Sequence, residues 1–313
     1  MKKDKMSRQS FLARSSGLIA GLILADIPGV ITGYFKAYAQ TGASKLAVVT
    51  TNTISQEAIE KMVDKAFAEF GGINAMIKKG MNVVIKPNMA WNSPPEKAHN
   101  TNPYLVEAVV KRCVKAGAKV TVFDRTCNAA RPSYKNSGVE DVAARAGANV
   151  EQIDDRKFVD VKVPNGIRQK ELSVYKPILD ADFVINMPIA KHHGSADLTI
   201  SMKNLMGVIG GNRGMLHYGL HENIVDFTKT VRVDLIICDA LRILTKGGPN
   251  GGSPEDIKEP RTIIMGKDPV AVDSYAASLF GVKPSDIQYI ALAYKEKMGE
   301  IDPQKMNIKK ITA

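Results

Sequence analysis

The spacing of apolar positions changes period repeatedly along the chain, and each change marks an element. Lys45–Thr50 reads as a first strand. Thr53 and Gln56 form a capping-box pair, after which Ala58, Ile59, Met62, Val63, Ala66 and Phe67 recur at helical spacing up to Gly71-Gly72. Asn82–Lys86 is a short β-branched strand stopped by Pro87, and Asn102 with Pro103 opens a helix that Gly117 closes. Lys119–Asp124 is a third strand, ending on an acid, and Ser137 with Glu140 opens a helix that stops at Gly147. Strand and helix alternating at this spacing predict an α/β fold with a mostly parallel, doubly wound sheet.

Residues 149–176 break the rhythm. Phe158–Val163 alternates, Pro164-Asn165-Gly166 turns, and Ile167–Tyr175 returns, which predicts an inserted β-hairpin or small subdomain. Asp182–Met187 rejoins the sheet and feeds a polar, glycine-rich segment, Asn186–His217, expected to be an active-site or ligand-binding loop with a helix over Thr199–Val208. Asn223 is expected to cap a helix to about Thr230. Val233–Asp239 is a strand that again ends on an acid, and Arg261–Gly266 is another. Asp268-Pro269 opens a helix ended by Gly281, and Ser285 caps the last one. Thr245 to Glu259 is a Gly/Pro-rich loop, in which Gly247-Gly248-Pro249-Asn250-Gly251-Gly252 reads as a flexible lid or turn.

The 313 residues suffice for a substantial core, and 44% apolar with 24% charged residues is ordinary for a globular protein. Residues 1–39 hold six basic and two acidic side chains, which leaves 37 basic against 30 acidic in the remainder. That moderate excess suits a small anionic partner, and no basic run with interleaved aromatics points to nucleic acid. Lys2, Lys3, Lys5 and Arg8, the weakly apolar run Ser15–Ile31 and the small-x-small site Ala37-Tyr38-Ala39 make residues 1–39 an export signal peptide, with residues 40–313 as the α/β domain. Ser7-Arg8-Gln9-Ser10-Phe11-Leu12 resembles the twin-arginine signal, with Gln9 where the second arginine would stand. The expected location is the periplasm, with membrane contact only through that signal.

Four strand ends carry polar groups: Lys86 and Asn88, Asp124, Asn186 to His193, and Asp239. In a parallel sheet these gather at the carboxyl edge, where open α/β folds bind ligands. Lys86, Asn88, Lys191, Asn204 and Arg213 are the candidate substrate-binding residues, and His193, His217 and Lys203 the candidate catalytic ones. His192 and His193 are adjacent, so on a strand they face opposite ways. His193, His217, Asp124 and Asp239 form the candidate set for a divalent metal. Asp273 is read either as an orienting or ligating acid or, like Asp226, as a helix acid paired with surface lysines. Cys113, Cys127 and Cys238 contain no C-x-x-C, which argues against an iron–sulfur cluster. No Walker or G-x-S-x-G motif occurs.

Taken together, Lys86-Pro87-Asn88, Asn186-x-Pro188-x-x-Lys191-x-His193, Thr199-x-x-x-Lys203-Asn204-x-x-Gly207, Gly248-Pro249-x-Gly251 and Asp268-Pro269-Val270-Ala271-x-Asp273, with Thr101-x-Pro103, Asp124, His217, Asp226 and Asp239-Ala240, resemble the domain-of-unknown-function family numbered 362. The likeness spans roughly Asn82–Gly281. Some members of that family carry ferredoxin modules, whose cysteines this chain lacks. A looser likeness is to the nickel-pincer lactate racemases, which anchor a pyridinium cofactor on a lysine and use histidines for metal ligation and proton transfer. Lys203, His192, His193 and His217 are the residues of that type here. The resulting expectation is an exported enzyme acting on a small anionic substrate, possible metal assistance included. The alternative is a non-catalytic periplasmic ligand-binding protein, or a maturation protein for a redox partner.

Overall fold

A computed structural model describes residues 43–313; the export signal expected over residues 1–39 lies outside them. The chain begins with β1 (Lys45–Thr50), then α1 (Gln56–Glu69), β2 (Asn82–Pro87), α2 (Pro103–Lys115) and β3 (Lys119–Val122). It continues through α3 (Ala130–Asn136), α4 (Val139–Arg145) and β4 (Asn149–Val150) to an antiparallel hairpin of β5 (Phe158–Lys162) and β6 (Glu171–Tyr175). Then come β7 (Phe183–Met187), β8 (Ile189–His193), β9 (Asp197–Thr199), α5 (Leu220–Thr230), β10 (Leu235–Leu244), β11 (Ile257–Lys258) and β12 (Thr262–Gly266). Two helices, α6 (Pro269–Ser278) and α7 (Gln288–Lys295), and a last strand, β13 (Asn307–Thr312), complete it. Among the described residues no helix is long and apolar enough to cross a membrane.

The main sheet runs β13-β1-β12-β10-β7-β2-β3-β4, and only β12 is antiparallel to its neighbours. Its central strands are buried on both faces: β2 (NVVIKP) is covered from Val83 to Pro87 and β7 (FVINM) throughout. One face packs against α1, α2 and α4 through Ile59, Met62, Leu105, Val109 and Val139. The other packs against α5, α6, α7 and the hairpin through Ile224, Val270, Ile290, Leu172 and Val174. The chain leaves β2 towards β3 and β4 with helices on the first face, and leaves β7 towards β10 with helices on the second. The order therefore reverses between β2 and β7, where Lys86 and Asn186 are register partners.

Several expected boundaries move. Ser55, not Thr53, caps α1, its side chain accepting from Ala58 N at 3.1 Å. Ser137 belongs to the end of α3, and Gly138 in the left-handed region starts α4. Asn223 sits inside α5, its amide donating to the Leu216 and Tyr218 carbonyls at 2.9 and 3.1 Å and so binding the preceding loop to the helix. The helix expected over Thr199–Val208 is a strand end, one α-turn at Ser201–Asn204 and a 3₁₀ turn at Leu205–Val208. Residues 201–208 are buried all round, so no amphipathic stripe holds them to a regular helix. The expected loop after Met187 opens with two strands, β8 and β9, and β10 runs ten residues, far enough beyond the sheet to pair with both β8 and β11. Strand β13 was not anticipated. As a lysine-bearing, half-exposed edge strand it shows little apolar alternation.

Candidate functional site

The reversal between β2 and β7 opens a cleft of about 480 Å³ at the carboxyl edge of the sheet, within the range of small-molecule sites. Asn204 stands at its floor. Its Oδ1 accepts from Lys86 Nζ at 3.0 Å and Asn88 Nδ2 at 3.1 Å, while its Nδ2 donates to Asn186 Oδ1 at 2.8 Å. One side chain thereby joins the ends of both switch-point strands. Thr101 reinforces the join, donating to Met187 O at 2.7 Å and accepting from Asn88 N at 2.8 Å.

Lys86 forms a 2.7 Å ion pair with Asp124, and both side chains are almost wholly buried. Asp124 also accepts from Met89 N at 2.7 Å. The 3₁₀ turn after Asn204 crosses this pair so closely that a Cβ on Gly207 would lie 1.9 Å from Asp124 Oδ1 and 2.6 Å from Lys86 Nζ. Only glycine fits there. Burial lowers the Lys86 ammonium pKa, and the attraction of Asp124 opposes that shift.

Lys191 and Lys203 are buried, and among the described residues neither has a carboxylate partner. Lys191, on β8, donates to His99 O and lies 6.0 Å from the Trp91 ring centroid. Burial lowers it to about 7, with Lys203 and Lys86 adding repulsion. Lys203 Nζ donates to Met206 Sδ at 3.2 Å, its one hydrogen bond among the described residues, and burial lowers it to about 8. Arg213 reaches the same cleft with its guanidinium anchored on the Arg125 and Thr126 carbonyls. Asp124 is the only carboxylate among the residues lining the cleft. The site is strongly electropositive.

The two histidines of the cleft use their Nδ1 atoms in opposite senses. His193 Nδ1 accepts from Ser195 N at 3.1 Å and Ala196 N at 3.3 Å, which leaves the proton on Nε2. Burial, followed by Lys203 and Lys191, lowers its pKa to about 3, so it is neutral across the physiological range. His217 Nδ1 contacts the Arg213 carbonyl at 2.9 Å; a carbonyl can only accept, so Nδ1 carries a proton and is the donor of this bond. The rings stack with centroids 6.4 Å apart and 19° between planes. His192 points the other way, its Nδ1 accepting from Gly248 N at 3.1 Å.

Nine of the ten candidates, Lys86, Asn88, Asp124, Lys191, His193, Lys203, Asn204, Arg213 and His217, line this one cleft. Asp239 does not. Its carboxylate accepts from Asn102 N at 2.7 Å and Leu241 N at 2.9 Å, tying the start of α2 to β10. The four-residue metal set is therefore not assembled. Asp239 is spent on backbone, Asp124 is paired with Lys86, and a ligating imidazole nitrogen must be bare where His193 Nε2 is protonated. Among the described residues no group of three or more His, Cys, Asp or Glu side chains is placed to hold a metal ion. Asp226 and Asp273 are neither cleft residues nor partners of surface lysines. Asp226 accepts from Ile167, Arg168 and Gln169 N, pinning the hairpin to α5; Asp273 accepts from Ser201 N and Met202 N, holding the turn that carries Lys203.

The sequence reading missed Trp91, Arg125, Cys127, Pro249 and Asn250, all of which line the cleft. The glycine-rich loop enters it because His99 Nε2 donates to Gly251 O at 3.1 Å and His192 accepts from Gly248. Cys127 had a signal, since it lies three residues beyond the strand-end acid Asp124.

Residues 83–278 match the family described as a domain of unknown function, DUF362. The chain belongs to this family. A thylakoid-associated protein of Synechocystis sp. is 25% identical over 238 residues, which cover 73% of this chain and 71% of that protein. Among solved structures, the lactate racemase apoprotein of Thermoanaerobacterium thermosaccharolyticum aligns with a TM-score of 0.45 at 12% identity, over 79% of this chain and 58% of that one. A Thermotoga maritima protein aligns with a TM-score of 0.41 at 8% identity, over 72% and 59%. The chain thus spans under two thirds of the length of either structure.

Proposed function

We propose that this DUF362 protein is an enzyme that binds a small anion in the carboxyl-edge cleft and acts on it by general acid–base chemistry. The observation that carries the reading is the convergence of Lys86, Lys191, Lys203 and Arg213 on one cleft with Asp124 as its only lining carboxylate. Two buried ammonium groups without a counter-ion are costly, and an anionic ligand relieves that cost. The histidines supply the chemistry. His193 Nε2–H is a neutral donor aimed at developing negative charge, and His217, when its one proton is on Nδ1, offers Nε2 as a base. No metal step is part of this reading.

The test is thermal unfolding with orthophosphate and with oxalate, against choline chloride at matched ionic strength. At 100 times Kd a ligand that binds only the folded state stabilises by about 2.7 kcal/mol. Both anions are expected to raise Tm, and Lys191→Met with Lys203→Met to remove the rise. No rise with either anion at 10 mM, on the order of the weakest useful affinities, would sink the cleft as an anion site. Incubating the protein in D2O with a panel of small carboxylates, and reading exchange by NMR, then separates the classes of function. Exchange lost in His217→Gln supports the enzyme. Anion binding without exchange favours the non-catalytic ligand-binding alternative.

A further inference from the structure

The cations of the cleft fall into two groups at different depths. Lys191 and Lys203 are 1% and 8% exposed, and Lys203 repels Lys191. Arg125 and Arg213 are half-buried, and the lining residues near them in the chain, Cys127 and Gly214, are exposed, so the guanidinium pair marks the mouth. Burial and then repulsion by Arg213 lower the Arg125 pKa. Arg125 lies 5.4 Å from the Phe158 ring centroid, and its Nη1 donates to Ile209 O at 2.9 Å and Gly211 O at 3.2 Å. Arg213 donates to the Arg125 and Thr126 carbonyls, and among the described residues neither guanidinium has a carboxylate partner. These bonds use only some of the N–H donors that each guanidinium carries. The imidazoles link the two groups. His193 and Lys191 alternate with His192 on β8 and so share a face of the strand, while His217 Nδ1 donates to the Arg213 carbonyl.

We propose that the substrate carries two anionic groups, carboxylate or phosphate, one seated on Lys191 and Lys203 and the other on Arg125 and Arg213. The inference rests on the anion-binding reading of this cleft and deepens it by giving the ligand two ends. Each pair of cations is mutually repulsive, so a single anion at one pair leaves the other uncompensated. The one lining acid does not serve either pair, because Asp124 is held by Lys86. The two seats also differ in chemistry. The ammonium groups are compact point charges in a buried setting, whereas a guanidinium presents a planar fork that matches two oxygens of one carboxylate or phosphate. The His193 and His217 rings stack 6.4 Å apart, one buried with the lysines and the other exposed with the mouth. A ligand that reaches both seats passes these rings, which places its reacting atoms between its two anionic groups.

Thermal unfolding of the full chain at matched ionic strength tests this with malonate, succinate, glutarate and phosphonoacetate. Each is compared with the monomethyl ester of one of its carboxylates, which keeps the length and removes one charge. Dissociation constants follow from the rise in Tm with ligand concentration. At least one of these ligands is expected to bind about tenfold more tightly than its ester, the effect of one added hydrogen bond to a charged group. Arg125→Met and Arg213→Met, made singly, are each expected to bring that preference below about threefold. Lys115→Met, on the exposed side of α2 and no part of the cleft, removes the same charge and is expected to keep the preference. The ester comparison uses the wild-type chain and so decides the matter without either arginine variant. Esters that bind within about threefold of their parents, in a protein that orthophosphate stabilises, overturn the two-ended substrate and leave the anion site standing. A preference that survives both arginine changes, or that Lys115→Met also removes, overturns the seat assigned to the second group. A protein stabilised by neither orthophosphate nor any of these ligands overturns the proposed function and this inference with it.

Discussion

Two sets of buried charge in this molecule look alike along the chain and behave in opposite ways in the fold. The buried acids Asp226, Asp239, Asp268 and Asp273 each meet two or more backbone N–H donors. They are rivets, holding a hairpin to a helix, a helix start to a strand, or a chain reversal in place. The buried bases Lys191 and Lys203 meet a carbonyl and a thioether, with no carboxylate between them. A buried acid can be satisfied by the backbone, which supplies N–H donors at every loop and helix start. A buried ammonium needs acceptors or anions, and the cleft leaves it short. That shortage marks the binding site more clearly than burial alone.

The comparison breaks first at Asp226. Asp226→Ala leaves three backbone N–H groups without their acceptor and is expected to cost about 4 kcal/mol in denaturant unfolding. A loss below about 1 kcal/mol would mean that water replaces the carboxylate and that the rivet is not one.

Lys203 should move stability the other way. Its folded pKa of about 8 lies below the unfolded lysine value of about 10.4, so the folded state disfavours the proton. The penalty is complete below pH 8 and fades as pH rises to the unfolded value. Lys203→Met is therefore expected to stabilise the ligand-free protein by about 3 kcal/mol at pH 7 and by little at pH 10.5, while abolishing the orthophosphate response. A destabilised Lys203→Met protein at pH 7 would place this lysine among the structural groups.

Gly207 sharpens the boundary between the two sets. Gly207→Ala drives a methyl group into the Lys86–Asp124 pair and is expected to cost about 2 kcal/mol, read as a lowered Tm, with the anion response weakened as well. An unchanged Tm would mean that the turn can lift away from the pair without loss.

Much of the fold was legible in the chain because its signals are local. The stripe Ile59, Met62, Val63, Ala66 and Phe67, the Asn102-Pro103 and Asp268-Pro269 helix starts, and the hairpin around Pro164-Asn165-Gly166 each speak through residues a few positions apart. Strand β13 stayed hidden because an edge strand with one half-covered face shows little alternation. The cleft was legible in part. Lys86, Asp124 and Lys203 stand at strand ends or in a glycine-flanked turn, which is a local mark. Asp239 carries the same mark yet turns to the Asn102 N–H, and Cys127, marked only through its neighbour Asp124, lines the cleft.

What the sequence determined alone was the alternation of strands and helices, the inserted hairpin, the strand ends that would bear polar groups, and the family. The tertiary structure decided which of those groups share a cavity and in what protonation state. Hydrogen bonds between residues distant along the chain set the partners of Lys86, Asp124 and Asp239, and local loop geometry set whether Nδ1 accepts, as in His193, or donates, as in His217. Residue type gives a side chain its chemistry. Whether that chemistry is spent on the fold or left facing a ligand depends on the partner that packing brings to it.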